Sequence, residues 1–121
     1  MTDGLNTELL KTIVLAAEDK LAHDIVALDV HNLTPLTDYF VVMSGNNERQ
    51  VKAIVDSIYE GVEEADFAIR NVEGKEGTRW ILIDCYDVVV HVFLYSEREY
   101  YNLEKMWVDA PLVNIEEWIK K

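Results

Sequence analysis

Apolar residues recur every four positions over residues 5–22, at Leu5, Leu9, Ile13, Ala17 and Leu21, with Glu8, Lys11, Glu18 and Asp19 elsewhere on the wheel. That spacing predicts an amphipathic helix, and Asp3 supplies an N-cap carboxylate for it. Residues 25–30 are short and rich in β-formers, and Asn32-Leu33-Thr34-Pro35 breaks them off. Residues 39–43 form a continuous apolar run of strand length, the pattern of a strand covered on both faces. Ser44-Gly45-Asn46-Asn47 punctuates the chain, and Asn47 with Gln50 resembles a capping box. Val51, Ile54, Val55, Ile58 and Val62 then form one wide helical stripe, ending between Gly61 and Ala65. Residues 67–72 predict a third strand, followed by a loop with Gly74 and Gly77.

Residues 79–85 and 87–95 are the strongest strand pair. Trp80, Leu82 and Asp84 alternate onto one face, and Ile81, Ile83 and Cys85 onto the other. In the second strand Val89, His91, Phe93 and Tyr95 alternate with Val88, Val90, Val92 and Leu94. A two-residue turn at Cys85-Tyr86 would pair residue 84 with 87, 82 with 89 and 80 with 91, making Trp80 and His91 direct cross-strand neighbours. Cys-Tyr is poor chemistry for such a turn. Ser96-Glu97-Arg98-Glu99 is a capping box opening a third helix with Tyr100, Leu103 and Trp107 on one stripe; Pro111 ends any continuation, and residues 115–119 make a last amphipathic turn or two. The order predicts one α/β domain over residues 1–121, a mixed five-stranded sheet flanked by helices.

Composition narrows the classes. Half of the 121 residues are hydrophobic and 28% are charged, which is globular rather than disordered composition. No apolar run reaches the ~18–20 residues of a membrane span, and the N-terminus lacks the basic start of a secretory signal. The single cysteine, Cys85, allows neither an internal disulfide nor a zinc site, so a reduced, cytoplasmic setting is expected. The net charge of −12 is shared evenly by the two halves. Phosphate binding normally needs a basic face, so direct contact with nucleic acid is disfavoured; a partner with a basic surface is steered toward the chain instead.

Three residue sets are candidates for chemistry. Asp84, Asp87 and His91 are proper metal-ligand types near a strand end. Nucleotidyl transfer, however, needs two carboxylates on one strand face, and no Asp-x-Asp occurs in the chain. Turn-flanking aspartates usually bond their own backbone. Ser44-Gly45 before a helix lacks the further glycines and the lysine of a phosphate-binding loop, so capping is the simpler reading. Cys85 with His23, His31 or His91 could be nominated for nucleophilic catalysis, but Cys85 shares the face of Ile81 and Ile83 and reads as a buried structural thiol. No cofactor is implied. Trp80, His91 and Phe93 on one sheet face suit a protein-binding patch as well as a core, and Tyr100, Tyr101 and Trp107 add aromatic surface near that end.

Six segments stand in a telling order: Leu28-Asp29-Val30, Thr37-Asp38-Tyr39, Ser44 to Val51, Trp80 to Asp84, Asp87 to Phe93 and Arg98 to Trp107. In this they resemble the ribosomal silencing factor family, RsfS, also called the Iojap family, over about residues 5–108. The resemblance implies a nucleotidyltransferase-like α/β fold without catalytic carboxylates. It further implies binding to the large ribosomal subunit through ribosomal protein L-fourteen, which sterically blocks joining of the small subunit and lowers translation in starvation and stationary phase. The binding face it implies comprises Trp80, Asp84, His91, Phe93, Tyr100 and Leu103. One departure stands out: the family usually has glycine between the aspartates of the final hairpin, where this chain has Tyr86. The competing reading is a small nucleotidyl- or phosphoryl-transfer enzyme of the same fold. Homodimerisation through sheet or helix surfaces stays open.

Overall fold

The computed structural model describes residues 3–74, 79–96 and 109–119. Its elements run α1 (Asp3–Asp19), β1 (His23–Asp29), β2 (Tyr39–Gly45), α2 (Glu48–Glu64), β3 (Asn71–Gly74), β4 (Trp80–Asp84) and β5 (Val88–Leu94). The five strands form one sheet in the order β1-β2-β5-β4-β3. β2 and β5 run parallel, and the other neighbours are antiparallel. This is the mixed α/β sheet expected from the order of elements. The helix expected from the Ser96 capping box lies outside the described residues.

The two helices cover one face of the sheet. α1 buries Leu9, Leu10, Ile13, Val14 and Ala17; α2 buries Val51, Ile54, Val55, Ile58 and Val62. Both stripes pack on Val41, Met43, Ile83, Cys85, Val88, Val90 and Val92. The α2 stripe is the one its spacing predicts. The α1 stripe follows its spacing at Leu9, Ile13 and Ala17 but not at its end: Leu21 is 72% exposed, because the helix stops at Asp19 and Leu21 sits beyond it at φ 62. There the Ala22 N–H donates to Ala17 O at 3.1 Å, the six-to-one bond of a left-handed C-terminal cap. α2 ends in the same way, with Asp66 at φ 66 and the Phe67 N–H donating to Val62 O at 3.0 Å.

α2 begins on the predicted cap. The Gln50 N–H donates to Asn47 Oδ1 at 2.9 Å. The return bond comes to Asn46, whose N–H donates to Gln50 Oε1 at 2.7 Å. The Gln50 amide also donates to Lys20 O and Leu21 O at 3.2 and 3.1 Å, so one side chain ties the start of α2 to the end of α1. Gly45 precedes this turn where space is tight: a Cβ there would lie 3.1 Å from the Val51 backbone nitrogen, so a larger residue would have to push the start of α2 aside by a few tenths of an ångström.

Two strand boundaries differ from the sequence pattern. Residues 67–70 do not pair as a strand; Phe67 and Ile69 pack on the core from irregular backbone, and β3 starts at Asn71. β1 starts at His23 rather than residue 25, and it carries a bulge between His23 and Val26 with Asp24 at φ 52. The segment after Asp109 runs along the outer edge of β1. Asp29 N–H donates to Pro111 O and Val113 N–H to Ala27 O, both at 2.9 Å. Ala110 packs with Leu28 and Val30, while Ile115, Trp118 and Ile119 join the main core through one turn, where an amphipathic turn or two was expected.

Candidate functional site

The face of the sheet away from the helices holds the candidate residues. Alternation places Trp80, Leu82 and Asp84 of β4 and Val89, His91 and Phe93 of β5 there, as the sequence pattern requires. The cross-strand register, however, is shifted by two residues. Trp80 lies opposite Phe93, Leu82 opposite His91 and Asp84 opposite Val89. The expected direct pairing of Trp80 with His91 is therefore corrected to a diagonal one. The cause is the turn, which falls at Tyr86-Asp87 instead of Cys85-Tyr86: the Cys85 N–H donates to Val88 O at 2.9 Å, and the Asp87 N–H to Cys85 O at 2.9 Å. The latter bond closes a three-residue turn of the rarer kind with a positive φ at its centre, and Tyr86 has φ 69. The tyrosine thus occupies a left-handed conformation that suits glycine better.

Diagonal placement still joins the two rings. Trp80 Nε1–H donates to His91 Nδ1 at 3.1 Å, so the imidazole is neutral with its proton on Nε2. The indole stacks on Phe93 with centroids 5.3 Å apart and planes 26° apart. Phe40 of β2 meets His91 edge-on at 5.2 Å and 90°. Phe93 is fully buried with Val42, His91 is buried, and Trp80 is half-buried over them. Of the proposed face, then, Phe93 and His91 form a floor and do not themselves meet solvent. Among the described residues of that face Trp80 is the aromatic that does, and Phe40 beside it is part-exposed as well. Phe40 was not legible as part of this cluster, since only the parallel register of β2 with β5 brings it beside His91.

Asp84 ends β4 on the same face and is bonded on both oxygens. Arg70 donates from Nε and a terminal nitrogen to Oδ2 at 3.0 and 2.8 Å, and the Tyr86 N–H donates to Oδ1 at 2.9 Å. The Arg70 guanidinium also lies over the Tyr86 ring, 5.0 Å from its centroid. The hydrogen bond and charge of Asp84 raise the Arg70 pKa above its ordinary value. Nothing in the sequence pattern singles out Arg70; its pairing follows from the Asn71–Asp84 register. Tyr100 and Leu103 lie outside the described residues.

The chemical alternatives find no support in this geometry. Among the described residues no group of three or more His, Cys, Asp or Glu side chains is placed to hold a metal ion. Cys85 is buried, and desolvation, aided by the Asp84 charge, pushes its thiol up to about 12, the reverse of an activated nucleophile. Ser44, also buried, donates to His23 O at 3.4 Å, and its neighbour Gly45 serves the helix turn.

Fold and face together define a small α/β protein with helices on one side of a mixed sheet and, on the other, an aromatic cluster with a charged rim. Comparison with known proteins gives that class a family. The family model described as "Ribosomal silencing factor during starvation" matches residues 5–121. The ribosomal silencing factor of Halalkalibacterium halodurans is 47% identical over 92% of this chain and 95% of its own length. The mouse protein named "Mitochondrial assembly of ribosomal large subunit protein 1" is 34% identical over 71% of this chain and 39% of its own. A crystal structure of a Chromobacterium violaceum protein superposes with a TM-score of 0.80, at 40% identity and 84% coverage of each chain. The chain belongs to the ribosomal silencing factor family, RsfS.

Proposed function

We propose that this chain, acting as one domain over residues 1–121, binds the large ribosomal subunit and blocks its joining to the small subunit. Translation is thereby repressed in starvation and stationary phase, without catalysis. The contact is with ribosomal protein L-fourteen. Family membership supports the ribosome as partner, and the name of the mouse relative supports the large subunit. The observation that carries the choice of face is Trp80: half-buried, hydrogen-bonded to His91 and stacked on Phe93. An aromatic held in place from behind loses little freedom on binding, which is the character of an interface anchor. In this reading Trp80 and Asp84 touch the partner, His91 and Phe93 position Trp80, and Tyr100 and Leu103 complete the face.

The charge of −12 suits a basic ribosomal protein and opposes a grip on ribosomal RNA. A cytoplasmic location follows from the same partner; among the described residues no helix is long and apolar enough to cross a membrane. The absence of catalysis is supported by the sequence, which has no Asp-x-Asp, and by Asp84, whose two oxygens are engaged by Arg70 and the hairpin backbone. The test is a subunit-joining assay. Added chain should lower the yield of joined ribosomes from isolated subunits, and preincubation with purified L-fourteen should relieve the block. Joining at an unchanged rate with saturating chain would refute the proposal.

A further inference from the structure

The two edges of the sheet are finished differently. On β1, the 109–113 segment supplies two backbone hydrogen bonds and a bridge between Leu28 and Leu112, and the strand itself is bulged at Asp24. Covering and bulging an edge both stop foreign strands from pairing with it. Among the described residues, β3 at the other edge has neither device. Asn71–Gly74 is exposed at every residue, in unbroken antiparallel register with β4, without proline or a positive-φ side chain. Among the described residues it pairs with β4 alone. Its side chains also extend the face already described. Asn71 lies opposite Asp84 and Glu73 opposite Leu82, so both continue the Trp80 face outward, and the Asn71 amide donates to Glu73 Oε2 at 2.7 Å.

We propose that β3 is a strand-addition site, on which an extended basic segment of the ribosomal protein partner pairs and continues the sheet past the Trp80–Asp84 rim. The proposal rests on the ribosome-binding reading above and deepens it. Exposed sheet edges bind extended segments through main-chain hydrogen bonds, and alternate side chains set the preference. Here Asn71 and Glu73 are the β3 side chains on the contact face, and the charge of Glu73 favours a lysine or arginine beside it. A second copy of this chain is the poorer occupant, since two chains of −12 repel as they approach.

Hydrogen exchange of the full chain, alone and bound to isolated large subunits, tests this. Backbone N–H groups alternate in direction along a strand, so two of the four amides in Asn71–Gly74 should exchange about tenfold more slowly, or slower still, when bound. Proline gives a second reading. Of Val72→Pro and Glu73→Pro, one removes a donor that points away from β4, and an edge strand tolerates that loss. The variant that keeps the parent melting temperature should bind the large subunit at least ~10-fold more weakly, the effect of about 1.4 kcal/mol. Subunit binding with β3 exchange unchanged would overturn strand addition and leave the ribosome-binding reading standing. Failure to bind the subunit at all would overturn both. Slow β3 exchange in a dimer of the chain alone would assign the edge to a second copy and also overturn the proposal.

Discussion

Replacing Trp80 by alanine separates anchoring from folding. Complete burial of a tryptophan makes Trp→Ala cost about 3–5 kcal/mol. Trp80 keeps only a minor part of its surface exposed, so most of that applies, the lost bond to His91 Nδ1 included. The free chain should therefore lose roughly 3–4 kcal/mol and melt about 10 °C or more lower. Trp80→Phe retains a ring over Phe93 but deletes the indole N–H and part of the ring contact, so it should cost less than Trp80→Ala, about 1–2 kcal/mol. Binding gives a separate number. If the exposed part of the indole anchors the partner, Trp80→Ala should weaken binding to the large subunit by about 2 kcal/mol or more, which is about 30-fold. Thermal melting and subunit affinity are to be measured on both variants at a temperature where each is folded. Unchanged affinity of folded Trp80→Ala would show that the indole only covers Phe93, and would refute the placement of the partner on this face.

Two further outcomes follow from local geometry. Tyr86→Gly relieves a side chain held at φ 69, a strain of about 1–2 kcal/mol, and forfeits the Arg70 contact of about 0.5–1 kcal/mol, so denaturant unfolding should show a net gain of up to about 1 kcal/mol; a loss would mean the ring contributes more than its backbone costs. Cys85 has its thiol raised from 9.0 to about 12 by burial, so the unfolded chain gives up the proton first; its contribution to stability is complete below pH 9 and declines as pH rises from 9 toward 12, and Cys85→Ala should remove that part of the decline. A pH profile identical in the two proteins would contradict this burial.

The parts of the fold that periodicity controls were legible before the structure. The α2 stripe, the alternation of β4 and β5 and the buried Cys85 all follow from which positions must face away from water. Misplaced features trace to conformations that periodicity does not encode. Leu21 continues a four-residue spacing yet stands exposed, because a left-handed cap ends α1 two residues earlier. The β4–β5 register differs by two from the expected one because the turn falls at Tyr86-Asp87, where a tyrosine takes a positive φ that its residue type does not signal. The same shift concealed that Phe93 sits under Trp80. Phe40 and Arg70 joined the site through the β2–β5 and β3–β4 pairings, each made between segments distant in sequence. Such contacts leave no local signal in a single chain.

The central claim is that this chain occupies the joining surface of the large subunit. Its most direct test is sedimentation of the purified chain with isolated large subunits, isolated small subunits and joined ribosomes at equal concentration. The chain should pellet with large subunits alone and stay in the supernatant with joined ribosomes. Equal pelleting with joined ribosomes would place its site away from the subunit interface and contradict the account.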